Sequence, residues 1–272
     1  MSIPANTVLL FQRALHLWVS LHLLTALPAM EELWLDPLSP PHPMGGPRYT
    51  LVHAFGSWLP VRAAPVVLAC TLLVALWGVV RPLRWWLSLP LWAGYSSLMN
   101  LAFMASSGGQ QLMANLLFWN VLLCLERSGH ATWVGATGFW IIRLQLLLAY
   151  AATGLHKLTG THWLDGTAMG IVAGDPAFGP AWLTGFPLLA KSMTWAVLVF
   201  QLTFPVAVWW RRTRLPWMAF GAVFHLGTAL WLGIPEMGAA FIAAYAIWLS
   251  NNESGAVLRC YRWRQAVSVP AT

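Results

Sequence analysis

The chain has very little charge for its length. Only 8% of its 272 residues are Asp, Glu, Lys or Arg, whereas 58% are hydrophobic. A soluble domain carries roughly 25% charged residues, which it needs to cover a surface that faces water. The shortage of charge therefore excludes an ordinary soluble domain and predicts an all-α integral membrane protein.

Cysteine and metal-binding motifs are also scarce. The three cysteines, Cys70, Cys124 and Cys260, lie far apart in the sequence and form no CxxC pair. This excludes a disulfide framework and a paired-cysteine zinc site. The sequence contains no HExxH or GxSxG motif either, so we expect no metal site.

The 15 Lys and Arg residues outnumber the 8 Asp and Glu residues, and the formal net charge is +7. No basic run is long enough to follow the phosphates of a nucleic acid, so a nucleic-acid partner is not expected. The basic residues are better explained by their positions between apolar segments.

Most of the chain consists of long apolar runs. A helix needs about 20 mainly apolar residues to cross a bilayer. The sequence predicts about eight such helices in a single membrane domain that covers residues 1–272. Their predicted ranges are 7–27, 63–80, 85–104, 111–125, 134–157, 193–210, 215–232 and 234–250.

Arginine positions predict the orientation of these helices. Nine of the fifteen basic residues follow an even-numbered predicted span: Arg81, Arg84, Arg127, Arg211, Arg212, Arg214, Arg259, Arg262 and Arg264. Because cytoplasmic loops are enriched in Lys and Arg, this face is expected to be cytoplasmic. With eight spans, both termini are then cytoplasmic as well.

Two connections on the opposite face are long. Residues 28–62 contain DPLSPPHPMGGPRYT, whose Pro and Gly content resists regular structure. Residues 158–192 mix Trp, Phe and Gly with few charges. We expect this second connection, between the fifth and sixth spans, to be a re-entrant or interfacial segment, since irregular backbone in a membrane must be covered by protein or water.

Ionisable residues inside the apolar runs are the functional candidates, because charge at membrane depth is costly. Arg143, Tyr150 and Lys157 are seven residues apart, nearly two helical turns, so they share one helix face. The side assignment puts Lys157 toward the external half of the membrane, and His225 lies about midway along the seventh span. A simpler interpretation stays open, in which Lys157 extends to the membrane surface and the others bridge helices.

The environment predicted for Lys157 indicates a chemistry. An amine removed from water and near another cation favours its uncharged form. Such an amine can accept a proton from a weakly acidic substrate or attack a carbonyl. His225 can donate a hydrogen bond to an oxygen that develops charge, and walls rich in Trp and Phe suit a flat, lipid-soluble ring.

Two segments resemble a known family. The segment RLQLLLAYAATGLHKLTGTHWLDGTAM (143–169) resembles the lysine-bearing segment of vitamin K-dependent gamma-glutamyl carboxylase and of the wider family of HTTM (horizontally transferred transmembrane) domains. A second segment, FHLGTALWLGIPEMGAAFIAAYAIWL (224–249), resembles the Phe-His stretch of the carboxylase, with the match on His225. The first segment shares these residues with the family: Arg143, Gln145, Tyr150, Gly154, Lys157, Trp163, Gly166 and Met169.

The resemblance implies a reaction and a set of site residues. The carboxylase uses reduced vitamin K and oxygen to generate a strong base on the lumenal side of the membrane. By resemblance, Lys157 is the catalytic base that deprotonates a quinol, either reduced vitamin K or menaquinol. The same resemblance makes His225 a residue of the pocket that holds this lipid-soluble quinol. We expect four further residues to bind the substrate there: Arg143, Tyr150, Trp163 and Gln110.

Gln110 marks a departure from the carboxylase pattern. The carboxylase has Asn-Asn-His before its fourth span, whereas this chain reads SSGGQQLM, with Gln110 near the place of the catalytic histidine. Glutamine cannot carry the same proton chemistry. This difference argues against carboxylation of glutamate.

Three functions remain open. The leading one is a carboxylase-like or epoxidase-like, quinol-dependent oxidoreductase or lyase in a bacterial inner membrane, with its site facing outward. The alternative is a non-enzymatic factor for maturation or export of a secreted peptide, as in a stand-alone bacterial family member that helps to mature a sporulation-delaying toxin; its partner would be a peptide or a membrane protein. The third is a channel or transporter subunit, although the sequence lacks the paired half-helices typical of transporters.

Overall fold

The fold was obtained as a computed structural model, which describes residues 3–35, 60–127, 132–177 and 179–267. Every regular element within these ranges is helical. The chain divides into two compact units, one made of Met1–Ile142 with Ala243–Thr272 and the other of Arg143–Ile242. The expectation of a single domain over residues 1–272 stays a prediction.

The first unit contains the N-terminal helices and the C-terminal helix. Short 3-10 or π turns at Leu27–Ala29, Glu31–Leu35, Val61–Ala63, Phe103–Ala105 and Tyr245–Trp248 connect them. Its helices are α1 (Ala5–Ala26), α2 (Ala64–Val80), α3 (Trp85–Leu101), α4 (Gly108–Arg127), the first part of α5 (Thr132–Lys157) and α11 (Asn251–Val267).

The second unit contains the rest of α5 and the helices that carry most of the predicted site. These helices are α6 (Thr161–Leu164), α7 (Ala168–Gly174), α8 (Pro187–Ala207), α9 (Arg211–Trp231) and most of α10 (Pro235–Ala244), with a 3-10 turn at Ala181–Gly185.

A helix lies at each of the eight places predicted from the apolar runs. In the described part of the chain, four helices are long and apolar enough to cross a membrane: Ala5–Ala29, Val61–Val80, Trp133–Lys157 and Pro187–Ala207. The all-helical membrane architecture is therefore confirmed. Eight crossings and cytoplasmic termini stay predictions.

The structure corrects two predictions about where helices lie. The sixth helix begins at Pro187 and not at residue 193, because proline suits the first position of a helix, where its missing N–H is not needed. Arg259, expected in a loop, lies in α11. That helix is started by a capping box, in which the Ser250 N–H donates to Glu253 Oε2 (2.7 Å) and the Glu253 N–H donates to Ser250 Oγ (3.3 Å).

Buried polar side chains join three helices of the first unit. Gln12 Nε2 on α1 donates to Asn120 Oδ1 on α4 at 2.9 Å, and Asn120 Nδ2 donates to Ser88 Oγ on α3 at 3.2 Å. All three side chains are buried. In lipid, where apolar surface alone does not drive helices together, such hydrogen bonds and close packing hold a bundle.

Large apolar side chains also lie on the outside of the helices. Leu188 on α8 is 81% exposed, Leu230 on α9 is 77% exposed and Leu73 on α2 is 67% exposed. Exposed apolar surface of this extent marks a membrane or a partner. It agrees with the low charge of the sequence.

The connection between α5 and α8 is folded. Its two short helices and its 3-10 turn, α6, α7 and Ala181–Gly185, are named the cap below. Ala173 and Leu183 of the cap pack against Ala190 of α8 in a small buried cluster. The place of the cap relative to a membrane stays a prediction. Of the other long connection, predicted to be irregular, residues 36–59 lie outside the described residues.

Candidate functional site

Lys157 is the last residue of α5, and its amine lies on an indole ring. Two backbone turns reverse the chain, with the Gly160 N–H donating to the Lys157 carbonyl and the Trp163 N–H donating to the Gly160 carbonyl, each at 3.1 Å. Lys157 Nζ then lies 4.7 Å from the centroid of the Trp163 ring, a cation–π distance. Both side chains are half-buried, and among the described residues no carboxylate pairs with Lys157.

A tight turn follows Trp163. Asp165 Oδ1 accepts hydrogen bonds from the Thr167 hydroxyl (2.6 Å) and the Thr167 N–H (2.9 Å). These two donors, the hydroxyl first, hold the pKa of the Asp165 carboxyl below its usual value. Gly166 has a φ of +84°, in the left-handed region that glycine adopts without strain.

One face of α8 holds this turn. Trp195 Nε1 donates to the Leu164 carbonyl at 3.2 Å, and Thr194 Oγ1 accepts from the Met169 N–H at 3.0 Å. A Cβ added at Gly166 would lie 2.6 Å from Lys191 Cγ, so the turn and α8 approach closely. Lys191 Nζ in turn lies 4.9 Å from the centroid of the Trp195 ring.

Tyr150 and His225 meet in the core of the same unit. The Tyr150 hydroxyl lies 2.5 Å from His225 Nε2, and both side chains are buried. Phe241 stacks on the His225 ring with centroids 4.5 Å apart and an angle of 10°. Phe204 and Phe200 contact the Tyr150 ring, with centroids 4.3 and 5.3 Å away. The pair is therefore enclosed by aromatic rings.

A glycine lets α10 approach this pair. A Cβ added at Gly238 would lie 2.3 Å from the carbonyl oxygen of His225. Since that oxygen is backbone, it cannot move aside as a flexible side chain can. Gly238 is thus required for the contact between α9 and α10 at His225.

The predicted residues of this unit form two pairs and not one cluster. Lys157 lies with Trp163, and Tyr150 lies with His225. Seven residues of helix separate Tyr150 from Lys157, a rise of about 10 Å along α5. Arg143 lies about 10 Å from Tyr150 in the other direction, close enough to Arg214 for the two guanidinium groups to repel each other.

Gln110 belongs to the first unit, where it lies in the first turn of α4. Its Oε1 accepts hydrogen bonds from the Ser107 N–H (2.8 Å) and the Ser107 hydroxyl (2.5 Å), while the Gly109 N–H donates to Ser107 Oγ at 3.1 Å. This is a capping box of the S-x-x-Q type. Its role in substrate binding stays a prediction.

Several contributors to the site were missed from sequence. Phe200, Phe204 and Phe241 surround Tyr150 and His225, and Thr194 and Trp195 hold the cap. None of these five residues had a recognisable signal in the sequence. The capping box of α4 did have one, the serine three residues before Gln110. Within the described residues, no group of three His, Cys, Asp or Glu side chains lies close enough to hold a metal ion.

These features define an all-helical membrane protein whose second unit carries a lysine–tryptophan pair and a buried tyrosine–histidine pair. A model of the HTTM domain matches residues 103–252, which is more than half of the chain and includes all six predicted site residues. The chain belongs to the HTTM domain family. It matches no curated protein and no solved structure.

Proposed function

We propose that this HTTM-family protein is carboxylase-like and oxidises a quinol, reduced vitamin K or menaquinol, with molecular oxygen, using Lys157 as the base. The observation that carries the proposal is the state of Lys157. Its amine is half-buried at the end of an apolar helix, it lies on an aromatic ring, and no carboxylate among the described residues pairs with it.

The surroundings of Lys157 fit a lipid-soluble aromatic ring. Trp163 supplies a flat ring beside the amine, and Leu155 and Leu158, which flank Lys157 in sequence, expose apolar side chains. A quinol carries a planar ring, an acidic O–H and an apolar tail. These three parts match the indole, the amine and the leucines.

Tyr150 and His225 form a buried pair in the same unit as Lys157. Because each is buried and bonded to the other, direct contact with a quinol requires this pair to separate. We assign to the pair the packing of α5 against α9. Substrate contacts of Tyr150, His225, Arg143 and Gln110 stay predictions.

Lys157 accepts the proton when the quinol O–H bond breaks, so a new N–H bond forms at Nζ and the electron pair stays on the quinol oxygen. The reduced ring supplies two electrons, and molecular oxygen is the oxidant that takes them. The overall products are a quinone and hydrogen peroxide, which balances atoms and electrons. The general base lowers the barrier by removing the proton as the electrons leave.

For the topology we propose eight crossings of a bacterial inner membrane, both termini in the cytoplasm, and Lys157 on the outer side. The supporting observation is the series of arginines after even-numbered predicted spans, among them Arg211, Arg212 and Arg214 in the first turn of α9. Positive residues favour the cytoplasmic side of a membrane. Lys157 lies at the opposite end of its predicted span from that face.

A second candidate function is the maturation or export of a secreted peptide. The observation that favours it is the apolar surface of the cap, where Leu164, Ile171 and Trp182 are each about half exposed. An apolar peptide segment can bind such a surface without any chemistry at Lys157.

Analysis of the purified protein separates the two functions. The full chain is placed in lipid nanodiscs, its bound lipids are extracted for mass spectrometry, and oxygen uptake is followed after menaquinol is added, with empty nanodiscs as the control for autoxidation. A co-purifying quinone and protein-dependent oxygen uptake support the quinol reaction. A tightly bound peptide, no quinone and uptake equal to that of empty nanodiscs would overturn it in favour of the second function.

A further inference from the structure

The Trp163 ring, which lies against the Lys157 amine, belongs to a short helix with few contacts of its own. Trp163 lies in α6, which has four residues, Thr161–Leu164. Its neighbours His162 and Leu164 have exposed side chains, and the His162 ring contacts the turn that follows, with Nδ1 2.9 Å from Thr167 Oγ1. The turn from Lys157 to Trp163 is closed by backbone hydrogen bonds and by the Thr159 hydroxyl, which donates to the His156 carbonyl at 2.7 Å. A helix this short is unstable in isolation, so its position must come from other contacts.

One face of α8 supplies contacts that tie α6 and the following turn to a long helix. Thr194 and Trp195 follow each other on the helix surface and hold the cap on both sides of Gly166. Trp195 Nε1 donates to the carbonyl of Leu164, the residue directly after Trp163, at 3.2 Å. Thr194 Oγ1 accepts from the Met169 N–H at 3.0 Å and at the same time donates to the Ala190 carbonyl at 3.0 Å, so the hydroxyl links α7 to the backbone of α8.

From this geometry we infer that Trp195 and Thr194 are positioning residues, which fix the Trp163 ring against the Lys157 amine and so set the reactivity of that amine. Trp195 acts through the Leu164 carbonyl, one residue from Trp163. Thr194 acts through Met169, which fixes the far side of the same turn. The catalytic importance of this positioning rests on the proposed function, whereas the reactivity of the amine does not.

The amine itself reports on this positioning. Lys157 and Lys191 are the only lysines in the sequence, so mass spectrometry can assign each modification without ambiguity. Reductive methylation with labelled formaldehyde proceeds through the uncharged, accessible amine. When the indole is held against Nζ at the cation–π distance, it covers the amine and slows its reaction with the reagent.

The test uses the full chain in nanodiscs. Trp195→Phe keeps a six-membered aromatic ring and removes the pyrrole ring with its N–H. Trp209→Phe is its matched control, because Trp209 Nε1 also donates to a backbone carbonyl, that of Pro205 at 2.8 Å, at the other end of α8. Thr194→Val removes the hydroxyl and Thr194→Ser keeps it. Lys191 is the internal reference for the two Thr194 variants.

We expect Trp195→Phe and Thr194→Val to raise the methylation rate of Lys157 roughly threefold to tenfold, the factor that one lost hydrogen bond gives. Thr194→Ser and Trp209→Phe are expected to keep the wild-type rate within about twofold. Equal Lys157 rates in all four variants would overturn the inference. If Trp195→Phe does not fold, the comparison of Thr194→Val with Thr194→Ser decides alone.

Oxygen uptake with menaquinol, measured on the same samples, separates the two proposals. Altered Lys157 reactivity without any quinol turnover in the wild type leaves the positioning intact and overturns the quinol reaction. Quinol turnover in the wild type with unaltered Lys157 reactivity in the variants overturns the positioning. If both hold, kcat/KM for menaquinol falls in Trp195→Phe and in Thr194→Val but stays near the wild type in Thr194→Ser and Trp209→Phe, because the displaced Trp163 ring both contacts the quinol and lies against the base.

Discussion

The Tyr150 hydroxyl lies 2.5 Å from His225 Nε2, although the two residues are 75 positions apart in sequence. The bond joins α5 to α9 inside a shell of phenylalanine rings. Since a buried polar group loses its water on folding, the bond between the two side chains replaces hydrogen bonding that water supplied. The stability of the second unit should therefore depend on both.

Tyr150→Phe is expected to destabilise the protein by about 1–3 kcal/mol, because it removes the hydroxyl that bonds to the buried His225 Nε2. Unfolding of the purified protein in mixed detergent micelles measures the change. Adding His225→Leu to Tyr150→Phe completes a double-mutant cycle, and a coupling energy of at least about 0.5 kcal/mol is expected. Additive single effects would show that the bond does not contribute.

Gly238→Ala is expected to destabilise the protein by about 1–3 kcal/mol, since the new methyl group would overlap the His225 carbonyl. Gly170→Ala is the matched control: nothing lies within 4 Å of an added Cβ there, and alanine favours the helix. The thermal unfolding midpoint of each variant in detergent gives the comparison. A Gly238→Ala protein as stable as Gly170→Ala would contradict the close approach of α10 to α9.

Gln110→Glu is expected to keep the stability of the wild type, because glutamate serves a capping box as well as glutamine does. Gln110→His is expected to cost about 1 kcal/mol, since it loses the acceptor for the Ser107 N–H and hydroxyl. Denaturant titration of the two variants side by side checks this. If Gln110→His were the more stable of the two, the capping function of Gln110 would be excluded.

The pKa of Asp165 is expected to lie below the usual aspartate value and to rise in Thr167→Val, which removes the stronger of its two donors. Since the folded turn holds the carboxylate form, its contribution is complete above the usual aspartate pKa. That contribution is lost as the pH falls through the lowered value of the folded state.

Selective carbon-13 labelling of aspartate, followed by NMR titration, measures this pKa. Thr184→Val is the control, since its hydroxyl donates to the Ala181 carbonyl and contacts no carboxylate. The same Asp165 titration curve in Thr167→Val and in wild type would refute the effect of the Thr167 hydroxyl.

The helices could be predicted from sequence because their cause is local. A long apolar run must satisfy its own backbone hydrogen bonds in a membrane, and a helix does so. The start of α8 at Pro187 was missed, since the Trp, Phe and Gly residues before it resemble a loop. The short helices α6 and α7 were missed because contacts with α8 stabilise them and their own sequences do not.

The candidate site was predictable in part. The spacing of Arg143, Tyr150 and Lys157 gave one face of α5 correctly, yet it did not show that Tyr150 pairs with His225 or that Trp163 folds back onto Lys157. Such contacts depend on how distant helices pack and on how a turn closes. Neither leaves a periodic signal in the sequence.

The most direct measurement of the role of Lys157 is the rate of oxygen-dependent menaquinol oxidation in Lys157→Ala and Lys157→Arg. Arginine at position 157 keeps a positive charge beside the Trp163 ring but cannot act as a base at neutral pH. His156→Gln is the neighbouring control, because His156 is exposed beside Lys157. We predict that both Lys157 variants lose about a hundredfold or more in kcat, while His156→Gln stays near the wild type. Wild-type rates in Lys157→Ala would contradict a catalytic role for this amine.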